Sequence, residues 1–204
     1  MTELHASPHP GDPRSLVAII GSVTPPGRLR RAVSEALDRH VSASGTAATV
    51  IDLAERRVSF ASGAPLHSLD DDSAEVVAAI ARAHAVLLAT PVYRGTFTGS
   101  LKNLLDLVPV EGLQGKAVAI VAMGATDHHS LGADWHLRDV LAWFGAILAP
   151  TSVYLTSRDF IDGAPTEQAQ SALDALFGGV VSLATALAAA PAEIGPPPLA
   201  ARNR

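Results

Sequence analysis

The chain has 204 residues, 48% of them hydrophobic and 17% charged, which suits one globular core and makes a second complete core unlikely by length. A net charge of −5 with no long basic run argues against a nucleic-acid surface. Cysteine is absent, which excludes disulfides, cysteine-ligated zinc, iron–sulfur clusters and a thiol nucleophile, and fits a reducing, cytoplasmic setting.

Residues 1–14, with Pro8, Pro10, Gly11 and Pro13, read as a disordered leader, with no signal-peptide pattern. The most apolar stretch, 176–190, is interrupted by Ser182 and Thr185 and falls short of the roughly 20 residues that span a bilayer, so no membrane segment is expected. Residues 191–204, with Pro191 and Pro196-Pro197-Pro198, read as a Pro-rich disordered tail. One domain is therefore expected over 15–190.

Within it, short apolar runs alternate with amphipathic stretches. Leu16 to Ile20 predicts a first strand closed by Gly21. Leu29, Ala32, Val33, Ala36, Leu37 and Val41 then fall at helical spacing. Ala47 to Leu53 predicts a second strand. Ser73, as an N-cap, starts a helix with Val76, Val77 and Ile80 on its apolar face. Ala85 to Ala89 is a third strand stopped by Pro91, and Leu101, Leu104, Leu105 and Val108 mark a helix ending at Pro109. Ala117 to Met123 is a fourth strand, closed by Gly124. Leu137, Val140, Leu141, Phe144 and Leu148 stripe the next helix, Thr151 to Leu155 is a weaker fifth strand, and a last helix uses Leu173, Leu176, Phe177, Val180, Leu183 and Leu187.

Five strands alternating with five helices predict an α/β three-layer sandwich around a five-stranded parallel sheet, order 2-1-3-4-5. Uninterrupted apolar strands fit a sheet buried on both faces. In that order ligands bind beyond the carboxyl ends of strands 1 and 3, where the topology reverses. Three loops therefore carry the functional reading.

The first is 21–28. Its glycines and the following helix N-terminus suit an anion, with hydroxyls from Ser22 and Thr24 and a charge from Arg28. It matches neither G-x-G-x-x-G nor a Walker loop, so an ordinary turn is an equal reading. The second, 90–99, places Pro91, Val92, Tyr93 and Arg94 between an apolar strand and two glycines, where backbone groups can meet the polar edge of a flat heterocycle. The third, Gly124-Ala125-Thr126, allows close backbone approach and is followed by His128 and His129. Those histidines with His136 form a possible metal cluster, but adjacent histidines cannot share one ligand from a helix and no acidic pattern completes the site, so no metal is expected. No G-x-S-x-G elbow follows any strand, which argues against a hydrolase of that type. Trp135 and Trp143 fit core or subunit contact.

The run Pro91-Val92-Tyr93-Arg94-Gly95-Thr96-Phe97-Thr98-Gly99-Ser100-Leu101-Lys102-Asn103-Leu104-Leu105-Asp106 closely resembles the signature of the NAD(P)H-dependent FMN reductase family. It looks most like the reductase components of two-component alkanesulfonate monooxygenase systems. Leu113-Gln114-Gly115-Lys116 and the helix with Leu131, Asp134, Trp135 and Leu137 support the likeness, which covers roughly 16–155. The resemblance implies a flavodoxin-like fold, FMN, NADPH or NADH, a homodimer or homotetramer, and a flavin-dependent monooxygenase as partner. It maps Ser22, Thr24, Gly27, Arg28 and Leu29 to a phosphate loop. Pro91, Val92, Tyr93 and Arg94, with Gly124, Ala125 and Thr126, map to the isoalloxazine site. The first loop departs from the family's G-S-x-R-x-x-S: Thr24 and Gly27 replace its Arg and second Ser.

Hydride transfer from nicotinamide to flavin needs no dedicated acid or base, so no catalytic residue is assigned; Arg94 is the candidate for steadying negative charge. Alternatives are an enzyme that keeps FMN and reduces quinones, azo or nitro compounds, a flavodoxin-like electron carrier, and a flavin-binding assembly protein without turnover.

Overall fold

The apolar runs become the strands of one parallel sheet in the computed structural model, which describes residues 15–24, 27–44, 46–127, 130–190, 194, 195 and 198. The side chains of Ser44, Ser130 and Leu131 fall outside that description. The expected leader, Pro25 and Pro26 of the first loop, His128, His129 and most of the expected tail also lie outside the described residues.

Strands β1 (Ser15–Ile20), β2 (Ala47–Asp52), β3 (Ala85–Pro91) and β4 (Ala117–Met123) lie in the order β2-β1-β3-β4, all parallel. The fifth position is divided between β5 (Ile147–Leu148) and β6 (Val153–Leu155), which pair with the start and the end of β4. The expected order 2-1-3-4-5 is the order found. Of the expected fifth strand at 151–155, residues 153–155 form β6; β5 is a second piece before it, taken from the expected helix stripe, and Pro150, between the two, has no N–H to offer a ladder.

Successive strand residues point to opposite faces, and each face has its own core. Leu16, Ala18, Ile20, Leu87 and Val121 pack under α1 (Arg28–Ser44) and α5 (Glu167–Ala188). Val17, Ile19, Val86, Leu88 and Ile120 pack under α2 (Ser73–Arg82), α3 (Gly99–Leu107) and α4 (Ser130–Phe144). This is the three-layer sandwich of the flavodoxin-like fold. The N-cap of α2 is Asp72 rather than Ser73, and its side chain makes no capping bond; Asp71 accepts from the Ser73 N–H instead (2.9 Å).

At 22 residues α5 is longer than the apolar stretch seen in the sequence, and by length and composition alone it could cross a membrane. Here one stripe of it, Leu173, Leu176, Phe177 and Val180, is buried in the core, and Asp174 pairs with Arg39 of α1 (2.9 Å). A hairpin the sequence reading missed, β7 (Phe160–Ile161) with β8 (Ala164–Pro165), precedes α5 and turns through Asp162 and Gly163, both at positive φ. Pro198 is buried and lies beside Gly145.

Candidate functional site

The carboxyl ends of β1, β3 and β4 stay in register past the last sheet residues. Gly21 N–H donates to Ala89 (2.7 Å), Val92 N–H to Met123 (2.8 Å) and Gly124 N–H to Leu155 (2.9 Å). The three loops therefore leave the sheet edge side by side, at the point where the strand order reverses.

A buried knot of hydroxyls ties the first loop to the second. Thr98 donates to the carbonyl of Gly21, which also accepts from Ser100 (3.0 Å). The same Thr98 oxygen caps α3 by accepting from Leu101 N–H (3.2 Å), and Thr98 N–H donates to the hydroxyl of Thr90 (3.1 Å). Thr90 in turn donates to the Pro91 carbonyl (2.9 Å). Thr90 and Thr98 are buried, so each polar group sealed here needs its partner. The loop between them is thus closed at its base.

At its tip, Tyr93 and Thr96 exchange backbone hydrogen bonds (2.9 and 3.2 Å) around Arg94 and Gly95, at φ 55° and 81°. Positive φ at both central residues is the pattern of a type I′ hairpin turn. Helix α4 backs this turn. A Cβ at Gly132 would lie 2.3 Å from the Gly95 carbonyl oxygen, so only glycine allows the helix so close. His136 Nδ1 adds a 2.8 Å contact with the Thr96 hydroxyl. Arg94 is consequently held out at the tip of a fixed turn.

An open cavity of about 370 Å³ lies between the second and third loops, lined by Val92, Arg94, Gly95, Gly124 and Ala125. It falls within the roughly 300–1,000 Å³ of small-molecule sites. Four of the expected residues, Val92, Arg94, Gly124 and Ala125, line it together. Pro91 closes β3 below it, Tyr93 stands 46% exposed beside it, and Thr126 gives its carbonyl to the Tyr154 hydroxyl (2.7 Å). Burial and the Asp127 carboxylate raise the pKa of that phenol.

The first-loop residues are not in the lining. Ser22 and Thr24 hydroxyls pair at 2.7 Å, and Thr24 N–H donates back to Ser22 (3.3 Å), curling the loop on itself. Among the described residues the first bond of α1 runs from Arg31 N–H to Gly27 (3.1 Å), and the N–H groups of Arg28 and Leu29 lie ahead of it in the opening turn. Leu29 itself is a core side chain and can offer only its backbone. Arg28 places its guanidinium 5.2 Å over the ring of Phe160, on the hairpin.

Among the described residues no group of three His, Cys, Asp or Glu is placed to hold a metal ion. Trp135 and Trp143 are surface residues, 65% and 55% exposed, rather than core. The sequence reading also missed Thr90, Thr98 and Tyr154; Thr98 and Tyr154 have partners far away along the chain, in Gly21 and Thr126.

The sequence profile of the family described as NADPH-dependent FMN reductase matches residues 15–160. An NADH-dependent FMN reductase, SfnF, of Pseudomonas putida is 31% identical over 163 residues, 76% of this chain and 84% of that protein. An NAD(P)H-dependent FAD/FMN reductase of Geobacillus thermodenitrificans is 33% identical over 111 residues, 54% of this chain. The chain spans 60% of the length of that relative and 45% of an NADH-dependent FMN reductase of Pseudomonas fluorescens. Among solved structures, the apo form of an NADH:FMN oxidoreductase, EMOB, superposes with a TM-score of 0.71 at 27% identity, over 88% of this chain and 93% of that one. A match over most of the sandwich, with the three loop ends inside it, places the chain in the NADPH-dependent FMN reductase family.

Proposed function

We propose that this chain is an NAD(P)H:FMN oxidoreductase that hands reduced FMN to a flavin-dependent monooxygenase. The observation that carries the reading is the cavity at the ends of β3 and β4, where Val92, Arg94, Gly95, Gly124 and Ala125 converge at the switch point of the sheet. Glycine and alanine leave backbone open along one wall, which admits the edge of a flat ring. Arg94 brings a cation to the rim of a protein that is otherwise net negative. The lining fits a flavin ring in size and chemistry. Relatives named as NADH-dependent and as NADPH-dependent reductases both occur, so either nucleotide is a candidate donor.

In this reading, Pro91, Val92, Tyr93 and Arg94 with Gly124, Ala125 and Thr126 hold the isoalloxazine. Ser22, Thr24 and Gly27, and the N–H groups of Arg28 and Leu29 at the positive end of α1, hold the phosphate. When bound, FMN supplies the hydride acceptor; the chain contributes binding, stacking distance and exclusion of water. Arg94 steadies the anionic phosphates of the nicotinamide nucleotide. No side-chain acid or base takes part. Exposed Trp135 and Trp143 on α4 support a homo-oligomer built on that face.

Fluorescence titration of FMN, followed by gel filtration, tests the binding part. Saturable quenching is expected. Colour that is lost on the column marks FMN as a substrate passed on, and colour that is retained marks a resident cofactor. No quenching at any FMN concentration overturns the reading.

A further inference from the structure

The third loop is shaped by a residue of the neighbouring strand. In β6, Tyr154 pairs with Ala122 of β4, and its phenol reaches past the strand end to donate to the Thr126 carbonyl (2.7 Å). The same ring occupies the space a side chain would need at Gly124: a Cβ there would lie 1.9 Å from the phenol oxygen and 2.9 Å from Cζ. Gly124 N–H is held by the Leu155 carbonyl, the next residue of β6 (2.9 Å). Gly124 and Thr126 are therefore both fixed from one strand, and Ala125, between them, is presented to the cavity with Gly124.

We propose that Tyr154 is a positioning residue for the flavin ring, setting the path of Gly124, Ala125 and Thr126 through its hydroxyl and its ring face. This rests on the flavin-site reading above. The alternative is that Tyr154 only fills space at the sheet edge. The two differ in one respect: space-filling is preserved in phenylalanine, whereas the loop tether is not. The raised pKa of the phenol, from burial and from Asp127, keeps it a neutral donor at ordinary pH.

The test is a double-mutant cycle on the full chain with Tyr154→Phe, Gly124→Ala and both together. It reads kcat, KM for FMN and Tm. Tyr154→Phe should raise the FMN KM roughly 3- to 10-fold, the scale of one hydrogen bond, with kcat at saturating FMN and Tm little changed. Gly124→Ala should raise KM further, because its methyl group meets the phenol oxygen. In the Tyr154→Phe background Gly124→Ala should cost less, since the closest clash is gone and only the 2.9 Å approach to Cζ remains. An unchanged FMN KM in Tyr154→Phe, or strictly additive effects, against an active wild type overturns the proposal alone. A wild-type protein that does not reduce FMN overturns the functional reading and the proposal with it.

Discussion

The hydroxyl of Thr98 donates to the carbonyl of Gly21, 77 residues away in sequence, and so joins the loop after β1 to the loop after β3. Because that oxygen also caps α3, one buried side chain sets the helix start and the spacing of two loops. Thr98→Val should therefore cost about 1–3 kcal/mol, for the lost cap on the Leu101 N–H and the loss of one of the two donors to the Gly21 carbonyl. For a domain of this size that is a Tm drop of about 2–4 °C per kcal/mol. Thr98→Ser should restore most of it. Thermal unfolding of the three proteins, with and without FMN, checks both steps; equal Tm for Val and wild type contradicts the knot.

Arg94 separates stability from function. Its left-handed backbone costs roughly 1 kcal/mol that glycine would not pay, while glycine adds a similar entropy to the unfolded chain. Arg94→Gly should thus leave Tm within about 2 °C, because the two terms nearly cancel. Loss of the cation should raise the nucleotide KM by about tenfold, the scale of a charge-assisted hydrogen bond. Steady-state kinetics beside a melting curve decide it: unchanged nucleotide KM removes Arg94 from nucleotide binding.

Lys116 ends the last turn of α2 by donating to the carbonyls of Ile80 and Ala81, both at 2.7 Å. Burial lowers its pKa from 10.5 to about 8. Between those values the unfolded chain binds a proton that the folded chain lacks, so stability gains from this group as pH rises across the window. Lys116→Met leaves two helix-end carbonyls without their donor but also removes a buried charge, so near neutral pH the two effects oppose and its stability should stay within about 2 kcal/mol of wild type. Its stability should also lack this rise. Denaturant unfolding of both proteins from pH 7 to about 10.5 reads the difference; a wild type that does not gain on the variant as pH rises contradicts the assignment.

Asp71 works in the opposite range. It accepts from the Ser59 hydroxyl and the Ser73 N–H at the start of α2, and these donors hold its pKa down to about 2 from 3.8. Its contribution is complete above the ordinary value and is lost as pH falls from near 3.8 to near 2. Asp71→Asn should flatten acid unfolding over that interval. Circular dichroism melts at stepped acid pH check this, and parallel curves for the two proteins would refute it.

The sheet was legible because β1, β3 and β4 are buried on both faces and so are apolar without interruption. The fifth position was half legible: Val153–Leu155 was found, while Ile147–Leu148 was absorbed into the stripe of the preceding helix. Glycines after strands 1, 3 and 4 marked where the loops would gather, and four of the expected residues do share a cavity. What composition could not reveal is pairing across distance. Tyr154 sits 28 residues from Thr126, and His136 sits 40 residues from Thr96. Each looks locally like an ordinary strand or helix residue. Trp135 and Trp143 illustrate the same limit in reverse: helical spacing is compatible with a core or a surface, and the fold puts them outside.

Whether this chain reduces flavin is decided by oxidation of NADH and of NADPH by the purified protein, under air, with FMN absent and then added in steps. Slow oxidation is expected without flavin and a saturable acceleration as FMN is added, with at least one of the two nucleotides. If neither nucleotide is oxidised faster with FMN present, while the protein is folded by its melting curve, the chain is not a flavin reductase.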